Sequence, residues 1–217
     1  PIFPINSLID KKHAREHALK IKFNAALPAS EIKPIEVINE SRDTTHYSII
    51  DKEGNAVSNT YTLGYSFGSG VTIPGTGILM NNQMNNFAFK YGDSKEISRS
   101  SSPGNKFEPG KRPMSTMNPV IVKNKDNDIS LITGSPGGSF IPAAALRVIS
   151  GIIDFDLDIG EATMLPRIHK DWPYSGLIHE SSVSSDIVSI LNQLGHDAEE
   201  SKTMGSTQSI HIIDNIR

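Results

Sequence analysis

The sequence predicts an α+β protein, a sandwich of strand and helix layers and not a doubly wound βαβ sheet. Three observations carry this. Strand-like segments come early, in residues 44–62 and 119–133. Helical spacing dominates from Pro142 to Leu194, and one alternating segment, Ser206 to Asp214, closes the chain as a strand. No internal repeat interrupts that order.

The elements follow from local chemistry. Ser7 to Phe23 (SLIDKKHAREHALKIKF) places Ala14, Ala18 and Ile21 on one face, which predicts an amphipathic helix ended near Pro28. Residues 28–43 contain Pro28 and Pro34 and no periodicity, the signature of an exposed extended segment. A β-hairpin comes next. Ile50 and Ala56 flank the loop Asp51–Asn55, with Gly54 where a positive φ is needed. Setting Ile50 opposite Ala56 carries the register to Thr44 opposite Thr62. Taken alone, such a pair is ordinary strand chemistry.

Residues 64–118 form a polar, glycine-rich stretch with little regular pattern. Within it, Lys90 to Gly110 reads as a long surface loop, a length typical of functional lids or disordered segments. Regular structure resumes with strands Pro119–Val122 and Ile129–Thr133, joined by a KNKDND turn. SPGGS (135–139) then leads into a helix starting near Pro142, since proline suits a first turn. A second helix spans Asp158–Leu165 and stops at Pro166. A third, Ser184–Leu194, lines up Ile187, Ile190, Leu191 and Leu194 and is capped by Gly195.

Composition narrows the function. The 217 residues are 37% apolar and 21% charged with net charge −3, and the basic residues do not cluster, so nucleic acid is not an expected partner. The longest apolar run, Ile141 to Ile153, is too short and too interrupted to insert in a membrane. With no cysteine, disulfides, thiolate metal sites and cysteine nucleophiles all drop out. Asp154, Asp156 and Asp158 alternate but lack the glycine and glutamate of a calcium loop, so neither metal nor cofactor is expected. The start at Pro1 reads as that of a fragment or a processed piece.

The strongest signal is a set of motifs in fixed order: TTHYSIIDKEGNAVSNTYTL, GILMNNQMNNF, KRPMSTMNP, TGSPGGS, PRIHKDW and MGSTQS, preceded by SEIKP and NESRD. Together they resemble the C-terminal part of γ-glutamyltranspeptidases, which are N-terminal-nucleophile hydrolases. The resemblance implies a four-layer αββα sandwich, of which this chain supplies the C-terminal part. It implies self-cleavage between Asp43 and Thr44. Residues 1–43 would then be the tail of a large subunit, a helix plus an extended linker, and 44–217 the small catalytic subunit. The remainder of the large subunit becomes the expected partner, a γ-glutamyl or related amide such as glutathione the substrate, and the periplasm or exterior the location.

The same resemblance assigns roles. Thr44 is the nucleophile, and its freed α-amine, with an ordinary pKa near 7.7–8.0, can serve as base. Thr62 supports the nucleophile. The backbone N–H groups of Gly137 and Gly138 stabilise the oxyanion. Ser115 and Thr116 hold the substrate α-carboxylate, aided by an arginine of the large subunit. Gln83 and Asn86 face the α-amino group. Here the chain departs from its family: an asparagine is usual where Gly64 stands, and an acid where Asn86 stands. Ile97 also replaces a tyrosine common in bacterial relatives. An amide for a carboxylate removes a charge-assisted contact. The expectation is a weaker preference for γ-glutamyl over glutaryl amides. The alternatives are a glutaryl-amide or cephalosporin acylase, a polyglutamate-processing relative, or an unprocessed pseudoenzyme with a structural role.

Four other residues invite assignment. His46 follows the two threonines, but an amine base makes a histidine unnecessary, so a structural role is expected. His169 and Trp172 read as packing residues, and Arg167 as the partner of an acid.

Overall fold

The computed structural model describes residues 9–28, 31, 44–88, 103–171 and 176–213. Asp43, the linker before it, Ile97 with most of the expected lid, and Trp172 lie outside the described residues. The first helix, α1 (Lys11–Ala18), starts at Asp10, whose side chain accepts from the Lys12 N–H. It ends earlier than expected: Lys20 and Ile21 donate to carbonyls three residues back, and Ile21 is 67% exposed, so no core rewards another turn.

The hairpin forms in the predicted register. β1 (Thr45–Ile50) pairs antiparallel with β2 (Ala56–Tyr61), Ile50 opposite Ala56 and Thr45 opposite Tyr61, and Gly54 takes φ +89° in the turn. It packs on a three-stranded antiparallel sheet of β3 (Val120–Lys123), β4 (Ile129–Thr133) and β8 (Ile210–His211). Hydroxyls fasten the two: Ser58 Oγ donates to the Thr133 carbonyl at 3.0 Å and Ser48 Oγ to the Gln208 carbonyl at 2.8 Å. The expected closing strand from Ser206 to Asp214 shrinks to β8. Gln208 still bonds the Gly134 carbonyl and Ser206 the Ser135 hydroxyl, but these are single tethers and not a ladder.

Helix α2 (Ile141–Ile153) carries its proline in the first turn, and α3 (Ile159–Met164) opens with a capping box of Asp158 and Glu161. Gly151 lets the two helices approach, since a Cβ there would sit 3.0 Å from the Ala162 Cβ. Leu131, Ile132, Ile141, Val148 and Met204, each less than 2% exposed, form the centre of the core.

A second three-stranded sheet was not foreseen from sequence. β5 (Ile168–His169) pairs antiparallel with β6 (Gly176–Glu180), and β6 pairs parallel with β7 (Asp197–Ser201) across α4 (Ser185–Gln193). The chain thus contains one βαβ unit within a mixed α+β fold. The reading missed β7 because DAEES is acidic; it is an edge strand, where charge discourages further pairing. Gly195 closes α4 at φ +94°, with His196 N–H reaching back to the Leu191 carbonyl.

Candidate active site

One residue beyond the last ladder pair lie Thr44 and Thr62, and both line one cleft. Gly64, Gln83, Asn86, Ser115, Thr116, Met117, Gly138 and Ile141 complete its wall. The fold therefore brings Thr44, Thr62, Gln83, Asn86, Ser115, Thr116 and Gly138 together from segments far apart in sequence. Gly137 is the neighbour of Gly138 but does not itself line the cleft. Met117 and Ile141 are lining residues that the sequence reading did not name. Among the described residues, no lining side chain is charged.

The hydroxyls are held by their own turns. Thr62 Oγ1 accepts from the Gly64 N–H at 3.0 Å, which occupies one lone pair of the hydroxyl. Ser115 Oγ likewise accepts from the Met117 N–H at 3.1 Å. Across the cleft, Gly137 (φ +134°) and Gly138 (φ +58°) turn the chain into the 3₁₀ segment ahead of α2. Both are buried, yet no described residue accepts a hydrogen bond from either N–H. Buried backbone donors are nearly always paired, so two unpaired ones in succession mark a place built for an acceptor.

The carboxamides form a fixed chain. Asn86 Nδ2 donates to Gln83 Oε1 at 2.8 Å and to the Met114 carbonyl at 3.3 Å. A carbonyl can only accept, so Met114 orients Asn86, and Asn86 in turn orients Gln83. Asn105 joins the two walls: its Nδ2 donates to the Asn86 carbonyl at 2.6 Å and its Oδ1 accepts from the Met114 N–H at 2.9 Å. Nothing in the sequence distinguishes Asn105 from any other loop asparagine.

Gly64 has φ +95°, and a Cβ added there would collide with Asn82 Oδ1, the acceptor for the Tyr65 N–H. Asn82 thus fills the space a side chain at position 64 would need. Gly64→Ala is expected to cost about 1–3 kcal/mol through backbone strain and this collision. Adding Asn82→Ala should recover part of it, a coupling that a double-mutant cycle in thermal unfolding would read.

His46 is buried and does not line the cleft. Its Nδ1 lies 2.8 Å from Thr60 Oγ1 and its Nε2 3.2 Å from Ser48 Oγ. Ser48 spends its proton on the Gln208 carbonyl, so it accepts from Nε2–H, and Nδ1 accepts from Thr60. Burial lowers the His46 pKa, in keeping with a neutral ring. The ring packs against Gly134, where a Cβ would overlap it. Arg167 does pair with an acid: its guanidinium lies 3.2 Å from Glu180, both side chains being nearly buried. His169 packs edge-on against Phe140, with ring centroids 5.0 Å apart. Among the described residues no group of three or more His, Asp or Glu is placed to hold a metal, and no helix is long and apolar enough to cross a membrane.

Comparison with known proteins agrees over nearly the whole chain. The gamma-glutamyltranspeptidase family profile matches residues 3–215. A glutathione hydrolase proenzyme of Escherichia coli K12 is 42% identical over 210 residues, 96% of this chain; the chain spans 36% of that protein's length. A crystal structure of a Helicobacter pylori gamma-glutamyltranspeptidase variant superposes with a TM-score of 0.72 at 39% identity, covering 78% of this chain and 91% of the other. A cephalosporin acylase of Bacillus halodurans reaches a TM-score of 0.79 at 26% identity, over 98% of this chain and 36% of its own. The chain belongs to the gamma-glutamyltranspeptidase family.

Proposed function

We propose that this chain is the catalytic part of a self-processing threonine acyltransferase acting on γ-glutamyl amides such as glutathione. The observation that carries the proposal is Thr44 sharing one cleft with Gly138, whose N–H, like that of its neighbour Gly137, has no acceptor among the described residues. In the precursor, Thr44 Oγ attacks the Asp43 carbonyl carbon, the acyl group shifts from nitrogen to oxygen, and water hydrolyses the ester. This frees the Asp43 carboxylate and gives Thr44 an α-amine. In catalysis that amine takes the Oγ proton as Oγ adds to the γ-carbonyl, with Thr62 steadying Oγ by its own O–H. The Gly137 and Gly138 N–H groups receive the oxyanion. Collapse expels the leaving amine, which takes the proton, and the acyl ester passes to water or to an acceptor amine.

Ser115 and Thr116 receive the substrate α-carboxylate, while Gln83 and Asn86 face the α-amino group. The missing cation and the outer layers of a four-layer αββα sandwich come from the rest of the large subunit. The outer face of the hairpin fits such cover, since Tyr47, Ile49, Val57 and Tyr61 are each at least 42% exposed. Relatives are proenzymes, and a full-length protein made in a periplasmic or secreted form is the material for the test. Mass spectrometry should find a chain beginning at Thr44, and the processed enzyme should release p-nitroaniline from its γ-glutamyl anilide. An uncut, inactive product would sink the reading.

The uncharged lining among the described residues favours a second donor class, glutaryl amides, beside the first. A neutral Asn86 gives an ammonium less than a carboxylate would. Asn86→Asp should raise the γ-glutamyl to glutaryl ratio of kcat/KM by about tenfold, the difference between a neutral and a charge-assisted bond. Anilide pairs measured side by side would show it; an unchanged ratio removes Asn86 from amino-group recognition.

A further inference from the structure

We propose that Ser135 is a positioning residue that aims and polarises the oxyanion-binding N–H of Gly137; this rests on the Thr44 acyl-transfer reading. Ser135 is fully buried. Its hydroxyl accepts from the Ser206 N–H at 2.9 Å and donates to the Pro136 carbonyl at 2.6 Å. The Ser206 bond uses a lone pair and so directs the proton to Pro136.

The Pro136 carbonyl and the Gly137 N–H belong to one peptide unit. In a trans peptide they point in opposite directions. Ser135 and Gly205 hold the carbonyl end: a Cβ on Gly205 would sit 2.5 Å from Ser135 Oγ and 3.0 Å from the Pro136 oxygen. Neither Ser135 nor residues 204–206 line the cleft, whereas Gly138 does. Fixing the carbonyl on the core side therefore turns the Gly137 N–H toward the cleft side. A hydrogen bond to the carbonyl also draws charge through the amide and strengthens its N–H as a donor. The Gly137 φ of +134° is a conformation that favours glycine, and the peptide would be free to rotate without such a clamp. A side chain at position 137 would also be crowded, since a Cβ there would sit 3.2 Å from the Gly205 Cα.

The test uses the full-length, processed enzyme with Ser135→Ala and the volume-preserving Ser135→Cys, whose thiol is a weak donor. Two ligands separate ground state from transition state. Free glutamate presents a planar γ-carboxylate and forms no tetrahedral oxyanion. A boronic acid analogue of the γ-glutamyl group adds Thr44 Oγ to boron, the Oγ proton passing to the α-amine, and places a hydroxyl of the anionic tetrahedral boronate where the oxyanion forms. Both variants should lose about 10- to 100-fold in kcat, with KM and glutamate affinity within about twofold of wild type. Boronate affinity should weaken by the same factor as kcat/KM. Should Ser135→Ala fail to fold, Ser135→Cys decides alone. Retained kcat in either folded variant, or equal weakening of glutamate and boronate, overturns the inference. A wild-type enzyme that forms no boronate adduct and releases no acyl product overturns the Thr44 reading instead.

Discussion

Thr44→Ala should leave the precursor as one uncut chain and lower acyl transfer by at least about 10⁴-fold, the scale on which losing a covalent nucleophile acts. Under the proposed mechanism, two separate losses converge on this residue. Without the hydroxyl, nothing attacks the Asp43 carbonyl, so the α-amine is never released; without Oγ, no acyl-enzyme forms even on a chain cut by other means. Expressing residues 44 onward beside the large subunit, with Ala at 44, separates the two: the amine is then present and activity should remain absent. Thr44→Ser should retain both steps at reduced rate, because it keeps the hydroxyl but loses the β-methyl that restricts χ1. Gel analysis of processing and anilide release together measure these outcomes. Normal turnover by the alanine variant would require another nucleophile.

The second large effect concerns stability. Glu180 accepts from the Arg167 N–H at 2.9 Å, the Arg167 guanidinium at 3.2 Å and the Met204 N–H at 2.7 Å. Its carboxylate joins the approach to β5, the end of β6 and the segment that packs under the Gly137 turn. Glu180→Ala would leave a nearly buried guanidinium without its counter-charge and a buried N–H without an acceptor, at a cost of about 3–5 kcal/mol. Glu180→Gln should cost less, because the amide oxygen still accepts from Met204 or Arg167. Urea unfolding of the processed full-length protein measures both. A midpoint for the alanine variant equal to that of wild type would mean that the pair contributes nothing to the folded state. The effect should reach activity as well, because Met204 N–H is held by Glu180 two residues before the Ser206 tether.

What could be read from the sequence follows the range of the interactions. The hairpin register depends on a short loop and a strict two-residue period, so the proximity of Thr44 and Thr62 was legible from Ile50, Ala56 and Gly54. The α2 start was legible from Pro142, and the end of α4 from Gly195. The motif set named Gln83, Asn86, Ser115, Thr116 and Gly138, which line one cleft although their spacing alone predicts no contact. The clamp by Asn105 and the Ser135 relay were not legible, since both depend on partners set by tertiary folding; Ser206 lies 71 residues from Ser135. The β6–α4–β7 unit escaped because its edge strand is acidic. The compensation of Gly64 by Asn82 was hidden for a further reason: sequence shows a missing side chain but not which neighbour occupies its volume.

The ladder of β1 and β2 stops at Thr45 and Tyr61, so the Thr44 nitrogen belongs to no strand pair. A register one pair longer would make that nitrogen part of the sheet edge. As built, converting it from peptide to amine breaks no strand hydrogen bond, while Thr45 anchors it one residue away. Under the proposed cut before Thr44, precursor and processed enzyme could therefore share one sheet, and activation would be a change of covalent bonding that requires no refolding of the β1–β2 pair.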